Sequence, residues 1–263
     1  MKVKSKKHKL MKRIILLFSL VLPFATMCQQ KKDTEQKIVK VAAAANLRYV
    51  LEKIKKQYES EYPSSRIDIS FGSSGTFTQQ ILNGADYDFF MAADMSYPKK
   101  IVENGYAYGD VETYIYGKLA LWSLNLDVSE WSKSILSPQV KKIAIANPKG
   151  APYGESTVKL LETQGLYKKI SNKIVWGNDI GQTAQFAFSG NAELGFIALS
   201  LVFSPDLQGK GHFYVFPEDI CPPQEQGCVL IKKSQEVTQF KNYIMSHKCD
   251  SLWVKFGYGL VKK

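Results

Sequence analysis

Histidine is scarce in this chain, three residues in 263, and cysteine is hardly commoner at four. Neither His212 nor His247 stands in a recognisable zinc-ligand pattern, so a metal centre is a poor organising principle for the fold. No internal repeat of fixed period and no low-complexity run occurs, which removes solenoid and fibrous architectures. Clustered positive charge is also missing. Of the formal net charge of +11, seven units lie in the first 27 residues, which carry no acid, leaving +4 over the rest. The remaining lysines are scattered among acids, and a nucleic-acid partner would require them grouped along one face.

Hydrophobic residues make up 45% of the chain, enough to bury a sizeable core in one large domain or two smaller ones. Residues 2–13 are basic, and the apolar run Ile14–Phe24 that follows is too short to span a bilayer comfortably. This is the pattern of an export signal over residues 1–27, and it stands outside the fold. Its end, ATMC, looks like a lipobox, which would make Cys28 a lipidated N-terminus, although Met27 occupies a place usually held by Gly, Ala or Ser. The polar residues 28–37 then form a tether. In an oxidising compartment Cys221 and Cys228 are the favoured disulfide pair, closing a small loop around Pro222, Pro223 and Gly227, while spacing leaves a bridge to Cys249 open.

The stretch Ile67–Leu82, IDISFGSSGTFTQQIL, organises the rest. Ile67, Ile69 and Phe71 alternate as in a strand, Gly72–Gly75 breaks the extended chain, and Phe77, Ile81 and Leu82 recur at helical spacing. The uncharged turn therefore sits at a helix N-terminus, where unpaired N–H groups and about half a positive charge attract an anion. Ser73 or Ser74 could equally be a plain cap. The device repeats, however: Ile38–Val41 reads as a strand, Ala42–Asn46 as a small-residue loop, and Leu47–Tyr58 as a helix with Val50, Leu51, Ile54 and Tyr58 on one face.

Further along, Asp86–Ala93 is a mostly apolar strand, with Asp94 capping a helix over Tyr97–Asn104. Tyr114–Leu124 is a long strand-like run, and the polar stretch Val128–Val140 marks a passage into a second unit. There the grammar returns with strand Lys142–Ala146, loop Asn147–Gly154, helix Glu155–Leu166, strand Lys173–Trp176, helix Ile180–Phe188 and strand Glu193–Leu199. Strands at Tyr214–Pro217 and Val229–Lys232 and a helix at Val237–His247 close the chain. The expectation is an α/β fold of two lobes with mixed sheets covered by helices: residues 38–116 and 214–263 in the first, 117–213 in the second, and a ligand cleft between them.

Taken in order, VAAAANL, FGSSGTFTQQI, DFFMAAD, NPKGAPYG and GNDIGQTAQFAFSGNAELGFIALS resemble, from about Ile38 to Lys263, the periplasmic molybdate-binding proteins of ABC importers. The resemblance implies a type II periplasmic-binding fold, a tetrahedral oxyanion clasped between lobes, and delivery to a membrane permease and its ATPase. It places ligand contacts on Ala45 and Asn46, Ser74, Tyr153 and Ile180. Ala45, Tyr153 and Ile180 would give backbone N–H groups, Ser74 its hydroxyl and N–H, and Asn46 its side-chain amide. All reach the oxygens, with no direct ligand to the metal and no cofactor. Asn46 replaces a Ser found in many members, and Ala198 a Tyr; a subset shares the Asn and the APYG loop. The implied setting is a monomer in the periplasm or on the outer face of a bacterial membrane, lipid-anchored where Cys28 is modified.

Neutral donors satisfy a dianion without burying a countercharge that delivery would have to break. Phosphate, partly protonated near neutrality, wants an acceptor that these loops supply only through Glu155 and Asp179 nearby; sulfate differs from molybdate by size alone, and tungstate should bind as molybdate does. Another tetrahedral oxyanion remains the first alternative. A secreted enzyme on the same fold is the second, against which none of the five loops joins a nucleophile to a base.

Overall fold

Small and β-branched residues dominate the first strand, β1 (Lys37–Ala44), and from Val41 onward all its side chains are buried. A strand covered on both faces belongs inside a parallel sheet with helices above and below. The computed structural model, which describes residues 37–262, has this arrangement twice. The signal segment, Cys28 and the tether up to residue 36 lie outside the described residues.

From β1 the chain continues through α1 (Arg48–Glu61), β2 (Ser65–Gly72), α2 (Ser74–Leu82), β3 (Phe89–Met91), α3 (Ser96–Glu103) and β4 (Tyr108–Gly117). It then builds β5 (Leu119–Ser123), α4 (Trp131–Leu136), β6 (Ile143–Ala146), α5 (Pro152–Thr163), α6 (Tyr167–Ile170) and β7 (Ile174–Gly177). There follow α7 (Ile180–Phe188), β8 (Leu194–Ala198), α8 (Leu199–Val202) and β9 (His212–Val215), and lastly β10 (Gln224–Leu230), α9 (Gln235–Ile244) and α10 (Asp250–Lys255). The first sheet has the order β2-β1-β3-β10-β4 and the second β7-β6-β8-β5-β9. In each, the three leading strands are parallel and the fourth runs antiparallel to both its neighbours.

The helical faces follow the sequence pattern. Val50, Leu51, Ile54 and Tyr58 of α1 are all buried, as their three- and four-residue spacing requires. Phe77 and Ile81 of α2 pack with Ile101 of α3 on Phe90 and Val229 of the first sheet, burial that stabilises by about 1.5–3 kcal/mol for each large apolar side chain. Among the described residues no helix is long and apolar enough to cross a membrane.

Three expectations are corrected. Tyr114–Leu124 is not one strand: it divides at Lys118, with β4 in the first sheet and β5 in the second. The return to the first sheet comes later than residue 214, because β9 pairs with β5, Leu121 opposite Tyr214 and Ala120 opposite Val215. Cys221 and Cys228 form no disulfide; both are thiols. The reason is β10, which starts at Gln224 and so carries Cys228 about 13 Å along the strand, at ~3.3 Å per residue, away from the turn that holds Cys221. A disulfide tolerates no more than about 7 Å between Cα atoms.

The C-terminal segment folds back over the first sheet. Tyr116 and Gly259 exchange two backbone hydrogen bonds, at 2.9 and 2.8 Å, and Trp253 meets the Tyr258 ring edge-on at 5.3 Å. These contacts bring the Tyr258 hydroxyl to Asn46.

Candidate functional site

The parallel strands β1, β2, β6 and β7 each end in a short turn that opens a helix. Ala45–Leu47 forms a 3₁₀ turn before α1, Ser73 precedes α2, Ala151 precedes α5 and Asp179 precedes α7. Ligands of open α/β sheets sit beyond such carboxyl ends. Here the four turns enclose one small cavity of about 10 Å³, and Ala45, Asn46, Ser74, Tyr153 and Ile180 all line it. All five expected site residues are thus brought together, and each is at least 96% buried.

Helix α5 begins three residues earlier than the sequence pattern indicated, because Pro152 takes the first helical position, which its fixed φ and missing N–H suit. The early start puts Tyr153 in the first turn. The first N–H groups of a helix have no acceptor within it. On these helices Gly75 donates to the Gly150 carbonyl at 2.9 Å, Gly154 to the Ala151 carbonyl at 2.8 Å and Gln182 to Asp179 Oδ1 at 2.8 Å. The N–H groups of Ser74, Tyr153 and Ile180 remain as the donors their helices cannot satisfy. Ser74 Oγ accepts from the Ala93 N–H at 3.0 Å, which leaves its own proton to donate.

No lysine or arginine is among the described residues lining the cavity; its one charged residue is Asp179, whose Oδ1 is held by the cap. The hydroxyls around it are neutral. Burial pushes the Tyr153, Tyr114 and Tyr258 phenols well above their ordinary range. Among the described residues no group of three or more His, Cys, Asp or Glu could hold a metal ion. A roomier hollow along α9, between Lys233 and Lys248, gathers none of these turns, whereas one beside Arg48, Tyr49 and Asp206 adjoins the small cavity through Ala45 and Asp179.

Two side-chain hydrogen bonds join the turns that follow the first sheet to segments of the second. Ser73 Oγ donates to the Gly150 carbonyl at 2.6 Å, the same oxygen that receives the Gly75 N–H. Ser200 Oγ donates to the Asn46 carbonyl at 2.9 Å.

The chain matches the family model of bacterial extracellular solute-binding proteins over residues 39–259. It belongs to that family. Among relatives of this solute-binding protein, the molybdate-binding protein ModA of Azotobacter vinelandii is 36% identical over 84% of this chain and 90% of its own length. ModA of Rhodobacter capsulatus is 37% identical over 70% of this chain and 73% of its own. The solved periplasmic molybdate-binding protein of Azotobacter vinelandii superposes with a TM-score of 0.78 at 32% identity, covering 85% of this chain and all of that one. The fold is therefore that of the periplasmic binding proteins, two mixed sheets flanked by helices, as expected from the sequence.

Sequence reasoning missed the shell behind the cavity. Asn46 Nδ2 donates to Gln226 Oε1 at 3.1 Å and to the Tyr258 hydroxyl at 2.9 Å, Gln226 Nε2 donates to the Tyr153 hydroxyl at 3.0 Å, and the Tyr114 hydroxyl lies 3.0 Å from Gln226 Oε1. The amide protons expected to face a ligand are therefore directed at the protein. Gln226 follows Gln224 and Glu225 in the polar half of β10, so nothing in the local pattern marks it as buried. Gly117 is needed beside this shell, since a Cβ there would lie 2.1 Å from the Tyr153 hydroxyl.

Proposed function

We propose that this protein captures molybdate outside the cytoplasm and delivers it to the permease and ATPase of an ABC importer. The observation that carries the reading is the convergence of uncharged donors at the ends of four strands, in a cavity with no basic side chain. A doubly negative oxyanion takes hydrogen bonds from such donors at about twice the strength of neutral pairs, and the helix N-termini add favourable dipoles. Ala45, Asn46, Ser74, Tyr153 and Ile180 would contact its oxygens, the first through its turn, Ser74 through hydroxyl and N–H, Tyr153 and Ile180 through N–H.

Relatives that bind molybdate support it over other oxyanions, and a putative ABC transporter substrate-binding lipoprotein of Bacillus subtilis, 28% identical over 88% of this chain, supports the lipid tether at Cys28. Tungstate, nearly the same size and equally without protons, binds as molybdate does. The relatives bear the names of binding and transport proteins, in keeping with a carrier and not a catalyst; we take it to act as a monomer whose two lobes close on the guest.

Calorimetry with molybdate, tungstate, sulfate and phosphate in turn is the test. Heat from the first two, and little from phosphate, is expected. No heat from molybdate or tungstate removes the proposal.

A further inference from the structure

We propose that Gln226 decides which end of the Asn46 amide faces the cavity, and thereby whether the site favours an anion with bare oxygens or one that carries a proton. The inference rests on the oxyanion-binding reading above and adds a positioning residue on β10. Gln226 is fully buried, and the register of β10 against β4 shifts between it and Gly227. Its amide joins Asn46 of the first turn, Tyr153 of α5 and Tyr114 of β4.

In this structure both Asn46 amide protons are engaged, one by Gln226 and one by Tyr258. Asn46 Oδ1 is buried with no partner. An orphaned buried acceptor is costly. On a residue lining an anion cavity it also opposes bare oxyanion oxygens, while it could accept the proton of hydrogen phosphate.

Turning the two amides over together reverses this at no loss of hydrogen bonds. Gln226 Nε2 then donates to Asn46 Oδ1 and to the Tyr114 hydroxyl, whose own proton goes to the Ala92 carbonyl, 2.8 Å away. Gln226 Oε1 accepts from the Tyr153 hydroxyl. The Tyr258 proton, now 2.8 Å from the Asn46 carbonyl, turns to Oδ1, and Ser200 keeps that carbonyl satisfied. Asn46 Nδ2 takes the place of the orphaned oxygen and becomes a donor to the anion. The two ends of an amide have nearly the same shape, so no repacking is required. Asn46 cannot turn alone, because its Oδ1 would then confront Gln226 Oε1, acceptor against acceptor.

The test compares wild type, Gln226→Glu and Gln226→Met by titration with molybdate and with inorganic phosphate in mildly alkaline solution, where phosphate is mostly a singly protonated dianion. The introduced carboxylate can only accept, so it holds Asn46 with its oxygen towards the cavity. The ratio of molybdate to phosphate affinity should fall by about tenfold or more, the scale of one hydrogen bond to a charged group. Equal charge on the two anions keeps the added negative charge out of that ratio, and a merely structural role for Gln226 would lower both affinities alike. Gln226→Met, which makes no demand on the amide, should not reproduce the fall seen in Gln226→Glu.

In parallel, the side-chain ¹⁵N amide resonances of Asn46 and Gln226 in the wild type should move together when molybdate is added, a readout that stands even where a variant fails to fold. An unchanged ratio in Gln226→Glu, or a Gln226 resonance that stays while that of Asn46 moves, overturns the inference alone. A wild type that binds no molybdate overturns the functional reading and this inference with it.

Discussion

The Gly75 N–H and the Gly150 carbonyl meet at 2.9 Å, and a Cβ added to Gly75 would lie 2.8 Å from the Gly150 Cα. Both are backbone contacts, so neither side can swing away. Alanine is a better helix former than glycine by roughly 1 kcal/mol, and α2 itself should gain from Gly75→Ala. The close approach between the two halves should nevertheless suffer, and molybdate binding should weaken by about 1–3 kcal/mol, the usual cost of overpacking. Calorimetry gives the affinity, and small-angle scattering should show a larger radius of gyration than wild type in saturating molybdate. Undiminished affinity would mean that this approach plays no part in holding the ligand.

Ser74 has two duties that one substitution separates from its helix. Its Oγ accepts the Ala93 N–H at 3.0 Å, and its own proton is left for the cavity. Ser74→Ala should weaken molybdate binding by about 1–3 kcal/mol, since a buried charged acceptor loses a donor. Thermal unfolding of the ligand-free variant should also shift down, because the Ala93 amide loses its acceptor. A lower Tm with unaltered affinity would place the anion elsewhere.

Cys221 and Cys228 differ in access, and that difference can be read chemically. Burial pushes both thiols up from their ordinary range, and Cys228 is enclosed within the first sheet while Cys221 is half-buried. Peptide mapping after alkylation of the folded protein should find Cys221 modified and Cys228 modified only after unfolding. A reducing agent should leave Tm unchanged. A reductant-sensitive Tm would restore the 221–228 bridge that the sequence favoured.

Much of the fold was legible because buried parallel strands read as short apolar runs and α1 repeats Val50, Leu51, Ile54 and Tyr58 at helical spacing. The turns holding Ala45, Asn46 and Ser74 were legible as small-residue helix starts, whereas the ligand roles, and Tyr153 and Ile180 in particular, came from the family resemblance alone. The break at Lys118 was not legible, because the chain is apolar on both sides of it and a change of sheet leaves no mark on periodicity. Pro152 and Gly154 were read as loop formers, although proline at the first helical position continues into a helix. Gln226 and Tyr258 reach Asn46 across 180 and 212 residues of chain, and only the tertiary fold joins them.

Asp86 bonds Lys232 and, at 2.5 Å, Lys40, tying β1 to the end of β10. These hydrogen bonds, to Lys232 first and then Lys40, hold the Asp86 carboxyl at about 2, against an ordinary value of 3.8. A carboxyl depressed in the folded state favours folding above its unfolded pKa and ceases to do so once the folded form is protonated as well. The contribution is therefore complete above 3.8 and fades as pH falls towards about 2. Asp86 is 60% exposed, so water and salt screen it and the contribution is small. Asp86→Asn should lower Tm slightly near neutral pH, and the difference from wild type should close in strong acid and shrink in concentrated salt. A difference that persisted unchanged at about pH 1 would assign the effect to packing, since by then the wild-type carboxyl is mostly protonated and nearly as neutral as the amide.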